Sequence, residues 1–303
     1  MVDIVVVNWN AGAFLKKCID SVLLSNNETL INKIIIIDNY SSDKSLDIIS
    51  KHHKIEIIHN QQNVGFAKAC NQGFKVCKAP FVLLLNPDAQ LMTDNIKDCV
   101  SFMTANIDVD VLGCQLLDDN GKVSVSCARF PTPFKLVMDG IGLSKIAPKL
   151  FTPAILMTDW DHLQSKYVDQ VMGAFMFMRI NIFKKVGYFD ERFFVYYEEL
   201  DFSLRLSKLG GKVFYNEQIK AMHTGMGTTE SIKAIRLFYN LRSRLQYAKK
   251  NFSSMGFITV CLSTFSVEII SRFIYLGLSG RFNEIKYLIK GYMILITTKR
   301  FLL

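Results

Sequence analysis

The sequence predicts an α/β fold built on a parallel sheet, and three observations carry that expectation. Short apolar runs alternate with stretches of helical periodicity through residues 1–113. Each run ends in polar residues, as strand ends do where an open sheet binds its ligand. Half of the 303 residues are apolar and 21% are charged, which suffices for a large core and excludes disordered, collagen-like and disulfide-stapled classes.

The runs Ile4–Val7, Ile34–Ile37, Ile55–Ile58, Phe81–Leu85 and Val109–Leu112 read as strands buried on both faces. Between them, Phe14, Leu15, Cys18, Ile19 and Val22 share one helical face. A second helix is expected from a Ser42/Asp43 cap and a third from about Gly65 to Cys77. Repeated strand–helix–strand units imply right-handed crossovers. Asn8 and Asn10, Asp38 and Asn39, Asn60 to Asn63, and Asn86 and Asp88 follow the first four strands, so one crevice collects them all.

Residues 124–165 contain Pro131, Pro133, Pro148 and Pro153 and show little periodicity, as a substrate loop or lid would. Order returns with two strands over Tyr167–Arg179, broken at Gly173, and a short helix from Asn181. A helix follows the acidic run at Glu198 and stops at Gly210-Gly211, ahead of a strand near Lys212–Tyr215 and of His223.

Charge divides the chain sharply. Residues 1–232 carry 24 Lys and Arg against 25 Asp and Glu, whereas residues 233–303 carry 12 against 2. The overall +9 is thus a property of the tail, and no nucleic-acid partner is expected. Helices are expected at Ser231–Lys250, Met255–Leu278 and Asn283–Thr297. The middle one is long enough to span a bilayer, yet Glu268 and Arg272 near its centre favour an interfacial helix drawn to anionic lipid; packing against the body is the third reading. The seven cysteines are scattered without a Cys-x-x-Cys pair, and Ile4–Val7 is too short for a signal peptide, so the expected setting is cytoplasmic.

No Gly-x-Gly-x-x-Gly follows the first strand and no Walker sequence occurs, so any phosphate cradle is of another kind. Asp38 can accept hydrogen bonds from the imide of a pyrimidine base, and the helix opening at Asn63-Val-Gly-Phe offers amides to ribose or phosphate. Leu85-Asn86-Pro87-Asp88 delivers a carboxylate from a buried strand, where a hard divalent cation bridging a diphosphate would sit. His223 is either its second ligand or an ordinary histidine; imidazole suits Mn2+ better than Mg2+. In Tyr196-Tyr197-Glu198-Glu199-Leu200-Asp201, carboxylates beside aromatic residues suit a general base, although a solvated helix start explains them too.

In order, Val7-Asn8-Trp9-Asn10, Asp38-Asn39-x-Ser-x-Asp43, Asn63-x-Gly65 through Asn71-Gln-Gly73, Asn86-Pro87-Asp88, Gly173-Ala174, Phe189-Asp190-Glu191, Glu198-Glu199-x-Asp201 and His223-x-Gly225 resemble family 2 inverting glycosyltransferases. The likeness covers about residues 1–250 and is greatest to the rhamnosyltransferase branch of bacterial surface-polysaccharide assembly. It implies a GT-A fold, a Rossmann-like nucleotide-diphospho-sugar transferase domain over residues 1–230 with a helical, membrane-associating extension over 231–303. The donor half would be about 1–115 and the acceptor half about 116–230. By position, Asp38 with Asn8 and Asn10 corresponds to the base pocket, and Asn63, Gly65, Asn71 and Gly73 to the segment near ribose and diphosphate. Asn86 and Asp88 take the places of the metal-binding Asp-x-Asp, with His223 as the metal histidine.

Glu199 falls where the resemblance implies an aspartate base, which lengthens the arm by about 1.5 Å. The backbone then sits further back, or Glu198 or Asp201 shares the task. Arg242, in Tyr239-Asn240-Leu-Arg242, corresponds to a phosphate contact. The implied partners are a nucleotide-diphosphate sugar, a polyprenyl-diphosphate-linked glycan and an anionic membrane surface, with a peripheral location on the cytoplasmic face of the inner membrane. An inactive membrane-bound scaffold and a transferase for another nucleotide sugar are the rival readings.

Overall fold

The computed structural model describes residues 1–24, 28–225 and 233–298. The chain forms two compact units. The first comprises Met1–Ala128, Trp160–Glu191 and Glu198–Thr228; the second comprises Arg129–Asp159, Arg192–Tyr197 and Thr229–Leu303.

The first unit is a nine-stranded mixed sheet with helices on both faces. Strands β1 (Val2–Asn8), β2 (Ile31–Asp38), β3 (Ile55–His59) and β4 (Phe81–Leu85) form where the apolar runs predict them, and they pair in parallel in the order β3-β2-β1-β4. The order reverses beside β1, with β2 on one side and β4 on the other, which opens a crevice at their carboxyl ends. The expected fifth strand, β6 (Val111–Leu117), runs the same way as β4 but does not touch it. Between them lies β10 (Phe175–Arg179), antiparallel to both, so the sheet is mixed rather than parallel. Beyond β6 come β11 (Val213–His223) and β5 (Ala89–Leu91), with β8 (Lys166–Val168) also paired to β11; β7 (Cys127–Ala128) and β9 (Gln170–Val171) form a separate pair.

Helices α1 (Ala13–Leu24) and α3 (Asn95–Ala105) cover one face, where Leu15, Cys18, Ile19, Ile96, Cys99 and Met103 join a core with Ile4, Val6, Leu83 and Phe177. Helix α2 (Phe66–Val76) lies over the other face, alongside α6 (Ile182–Val186) and α7 (Glu198–Lys208). Phe74, Phe183, Phe189 and Phe202 stack among these helices with ring centroids 4.7–6.1 Å apart. A Cβ on Gly73 would lie 2.4 Å from Val5 Cγ1, so glycine lets α2 settle directly on β1.

No helix starts at Ser42/Asp43. Asn10 Oδ1 accepts from the Ser42 and Asp43 amides, and Asp43 turns back to Ser45 and to the Gly12 amide. These local bonds hold residues 42–50 in turns, the usual competition between short polar side chains and a helix. Nor are residues 129–159 a bare loop: α4 (Pro133–Gly140) and α5 (Leu143–Ile146) form there, with Thr132 capping α4.

The second unit is helical. Leu136 of α4 joins Leu241 and Leu245 of α8 (Lys233–Asn251), Val260 of α9 (Ser254–Phe265), and Leu288, Tyr292 and Leu295 of α11 (Phe282–Thr298) in one apolar cluster. Ser231 and Ile232, expected at the start of α8, lie outside the described residues. The apolar stretch expected as one helix over Met255–Leu278 is two helices, because Ser266 (φ −127°, ψ −87°) breaks it before α10 (Val267–Leu278). Glu268, in the first turn of α10, is buried and accepts from the guanidinium groups of Arg244 and Arg272.

Candidate active site

Asn8, Asn10, Asp38, Asn63 and Gly65 of the sequence-predicted nucleotide end lie at the carboxyl edge of the sheet or just beyond it. Asn8 ends β1 and is paired in register with Asp38, which ends β2. The buried Asn8 amide donates to Asp38 Oδ1 (2.9 Å), Ser41 Oγ (3.0 Å) and Ser45 Oγ (2.8 Å), and His59 Nδ1 stands 3.7 Å from Asp38 Oδ2. Asn10, with φ of +52°, ties the loop after β1 to the loop after β2 through Ser42.

Asn39, which the sequence analysis places in the crevice without a role, is the hub of this end. Its amide donates to Asn63 Oδ1 (2.9 Å), and its carbonyl oxygen accepts from Asn60 (3.2 Å) and from the Val64 amide (3.0 Å). Asn63 in turn accepts from the Gly65 amide, and Gly65 has φ of +88°, a conformation that favours glycine. The start of α2 is thereby fixed at the crevice. Asn71 and Gly73 face the other way. The buried Asn71 amide donates to Phe189 O and to Glu191, and its oxygen accepts from the Phe189 amide, which braces α2 against the loop before α7.

Residues 88 and 223 meet through sheet pairing, since β5 pairs with the end of β11 and sets Ala89 opposite His223. Asp88 Oδ1 and His223 Nε2 are 3.4 Å apart, and the Thr224 amide donates to Asp88 O. Two donors this close can share one cation with bonds of about 2.1 Å, and a carboxylate with an imidazole is a donor set that Mn2+ accepts. The residues present therefore fit the implied ion. The Asn86 amide donates to Ala174 O, which joins the end of β4 to the residue before β10.

Glu199 is positioned by that same junction. Its carboxylate accepts from the Gly173 amide and from its own backbone N–H, while burial outweighs both and raises its pKa. Tyr196 and Tyr197, immediately before α7, adopt left-handed φ of +69° and +72°, a concentration of backbone strain of the kind found at functional sites. Glu198 is buried beside it, and both carboxylates face Cys70 of α2, whose thiol is held neutral by burial first and by these charges second. Asp201 is fully buried and accepts from Arg205 Nε (2.9 Å), while the same guanidinium holds Val186 O and Tyr188 O. Arg242 lies on α8 in the helical unit.

Gly173 entered the sequence analysis as a strand break and as part of the Gly173-Ala174 motif, without a role of its own. A Cβ there would lie 2.4 Å from Glu199 Oε1, so the backbone must come this close to seat the carboxylate. Gly173→Ala is expected to displace the Glu199 carboxylate and lower kcat about 100-fold. Titration with nucleoside diphosphate is expected to show unchanged binding; weakened binding would place the damage elsewhere.

A sheet with this order, polar residues at the ends of its first strands, an Asp–His pair where β5 meets β11 and a carboxylate seated on Gly173 are features of a GT-A fold. The chain belongs to glycosyl transferase family group 2, matched over residues 81–297, and residues 3–141 also match glycosyl transferase family 2. It is 24% identical to the rhamnosyltransferase WbbL of Escherichia coli over 84% of this chain and 95% of that one. Its identity to the N-acetylglucosaminyl-diphospho-decaprenol L-rhamnosyltransferase of Mycobacterium tuberculosis is 22%, over 74% of this chain and 76% of the other. The fold is also that of the mannosyltransferase PcManGT from Pyrobaculum calidifontis, solved with GDP-Man and Mn2+ (TM-score 0.56, 10% identity, 97% of this chain and 86% of that one). The longer Staphylococcus aureus TarS shares it as well, with TM-score 0.53 and 16% identity over 86% of this chain, which spans 42% of TarS.

Proposed function

We propose that this glycosyltransferase moves L-rhamnose from dTDP-L-rhamnose to a polyprenyl-diphosphate-linked glycan, with inversion, during synthesis of O-antigen or another surface polysaccharide. The names of the Escherichia coli and Mycobacterium tuberculosis relatives support donor and acceptor class. The observation that carries the reading is the Glu199 carboxylate, raised in pKa and seated on Gly173, next to Ala174, whose carbonyl accepts from the Asn86 amide two residues before Asp88.

Asp38, held by Asn8, would bind the thymine imide, and Asn39 with Asn63 and Gly65 would shape the ribose and diphosphate path. Asp88 and His223 would hold Mg2+ or Mn2+, which supplies charge neutralisation to the departing diphosphate. The acceptor oxygen attacks the anomeric carbon as the bond to the diphosphate oxygen breaks, and its proton passes to Glu199. One displacement without a protein nucleophile inverts the centre. Asp201, already paired with Arg205, would position α7 rather than take the proton. A peripheral place on the cytoplasmic face of the inner membrane fits an acceptor of this chemistry.

The test incubates the full chain with dTDP-rhamnose, UDP-hexoses and UDP-N-acetylhexosamines, divalent cation and a short-chain lipid-diphosphate GlcNAc, with mass as the readout. Deoxyhexose transfer from dTDP-rhamnose alone, lost in Asp88→Ala, is expected. Transfer from another donor would sink the rhamnose assignment and leave the mechanism standing. Failure with every donor, together with failure to bind nucleoside diphosphate, would favour a scaffold.

A further inference from the structure

Helix α10 is apolar on two faces, of which only one, carrying Ile269, Phe273 and Leu276, packs against the core of the helical unit. Its one fully buried residue is Glu268, whereas Val267, Ile270, Ile274 and Leu278, spaced three or four apart, are 50–85% exposed. A soluble helix turns its apolar stripe inward and its charges outward. The adjoining helices repeat the pattern of exposure. Met255, Ile258 and Leu262 form an exposed row on α9, as do Phe282, Ile289, Met293 and Ile296 on α11.

The charge around these rows has one sign. Arg281, Lys286 and Lys290 are exposed, and the last two line a shallow apolar groove on α11 with Ile289, Met293, Ile294 and Thr297. Lys145 and Arg281 flank the Tyr275 ring, with Nζ 4.7 Å and Cζ 5.0 Å from its centroid. Residues 254–298 hold two acids. Glu268 is taken up by Arg244 and Arg272, and Glu284 is paired with Lys233 (3.2 Å). Lipid-facing rows with a cationic margin and a tyrosine at the boundary complement an anionic bilayer surface.

By length and composition residues 254–278 could cross a bilayer. The break at Ser266 and the buried ion cluster around Glu268 argue against it. Drawing residues 254–278 into one straight span would undo the Ser266 break, strip Glu268 from Arg244 of α8 and set that carboxylate in hydrocarbon. The Arg244–Glu268–Arg272 cluster, closed over by Gly140 of α4, pins α10 against the helical unit so that its aliphatic side stays outermost.

We infer that α9, α10 and α11 form a monotopic seat that lies in the headgroup boundary of an anionic bilayer, with Met255, Leu262, Ile270, Ile274 and Met293 inserted, and does not cross it. This deepens the peripheral location proposed above and rests on it, but its test needs no transfer activity.

The full chain is floated with vesicles of phosphatidylcholine alone or with about a quarter phosphatidylglycerol. Binding is expected to be at least about tenfold tighter to the anionic vesicles and to weaken with salt. Ile270→Glu with Ile274→Glu is expected to lose at least about tenfold in binding, with nucleoside diphosphate affinity unchanged as the check on folding. An environment-sensitive dye placed in turn at Met255→Cys, Leu262→Cys, Ile274→Cys and Met293→Cys is expected to be quenched by lipid labels near the headgroup at every position. Deeper quenching at Leu262 than at both Met255 and Ile274 would mean a span and overturn the proposal. Absence of vesicle binding would overturn it too, as would a stable dimer in sedimentation that the Glu variants dissociate. Vesicle binding without nucleoside diphosphate binding would instead count against the transferase reading and leave the seat intact.

Discussion

Glu199→Gln is expected to lower the transfer rate by about 100- to 10,000-fold, the usual worth of a positioned general base. The amide keeps the length and volume of the side chain, so nucleoside diphosphate affinity is expected to hold. Burial raises the Glu199 pKa above its ordinary 4.5, and in the proposed base role the acting form is the carboxylate. Activity therefore falls on the acid side, with an apparent pKa above the ordinary glutamate value. Stability carries the opposite sign. A carboxyl whose folded-state pKa is raised costs nothing below its unfolded pKa, and its penalty grows as pH rises towards the folded value. The variant should then melt higher than the parent at pH 7 and alike at about pH 4. A variant with unchanged kcat would remove Glu199 from the base role; one that melts no higher at pH 7 would remove the desolvation.

Glu268→Ala is expected to be the most destabilising single change in the helical unit, at about 3–5 kcal/mol in urea unfolding. The loss arises less from the missing attraction than from Arg244, which is left charged and buried. Replacing both partners, Glu268→Leu with Arg244→Met, should recover most of the loss. Desolvation pushes the Glu268 pKa up, but Arg244 and then Arg272 hold it below the ordinary 4.5. Its contribution is present above that pH and fades as pH falls through the folded value. A single variant as stable as the parent, or a double variant no better than the single, would contradict this account.

How far the sequence could be read follows from what each signal measures. Strands β1, β2, β4 and β6 are buried on both faces, so they appear as unbroken apolar runs that no surface helix mimics. β5 and β9 have three and two residues, too few for any period to register. The place of β10 was hidden because an apolar run carries no direction, and Phe175–Arg179 suits either orientation. Ser266 was hidden for a related reason: one small residue between apolar neighbours looks like continuation, and its non-helical backbone shows only in the structure.

Within the site, Asp88 and His223 lie far apart in the chain, so their proximity was implied only by family resemblance until β5 and β11 were seen to pair. Asp38 and Asn8 were legible as strand ends. Asn39 as a hub was not, because its role depends on three loops arriving together. Gly173 stood out as a break, but its steric reason lies in a carboxylate from another element.

The insertion of β10 between β4 and β6 also has a bearing on how the molecule is made. Until residues 175–179 leave the ribosome, β4 and β6 cannot join, and each presents an open hydrogen-bonding edge to the cell for several seconds. The nascent amino-terminal segment is therefore a natural client for a chaperone, and a ribosome stalled before residue 175 would release a sticky fragment.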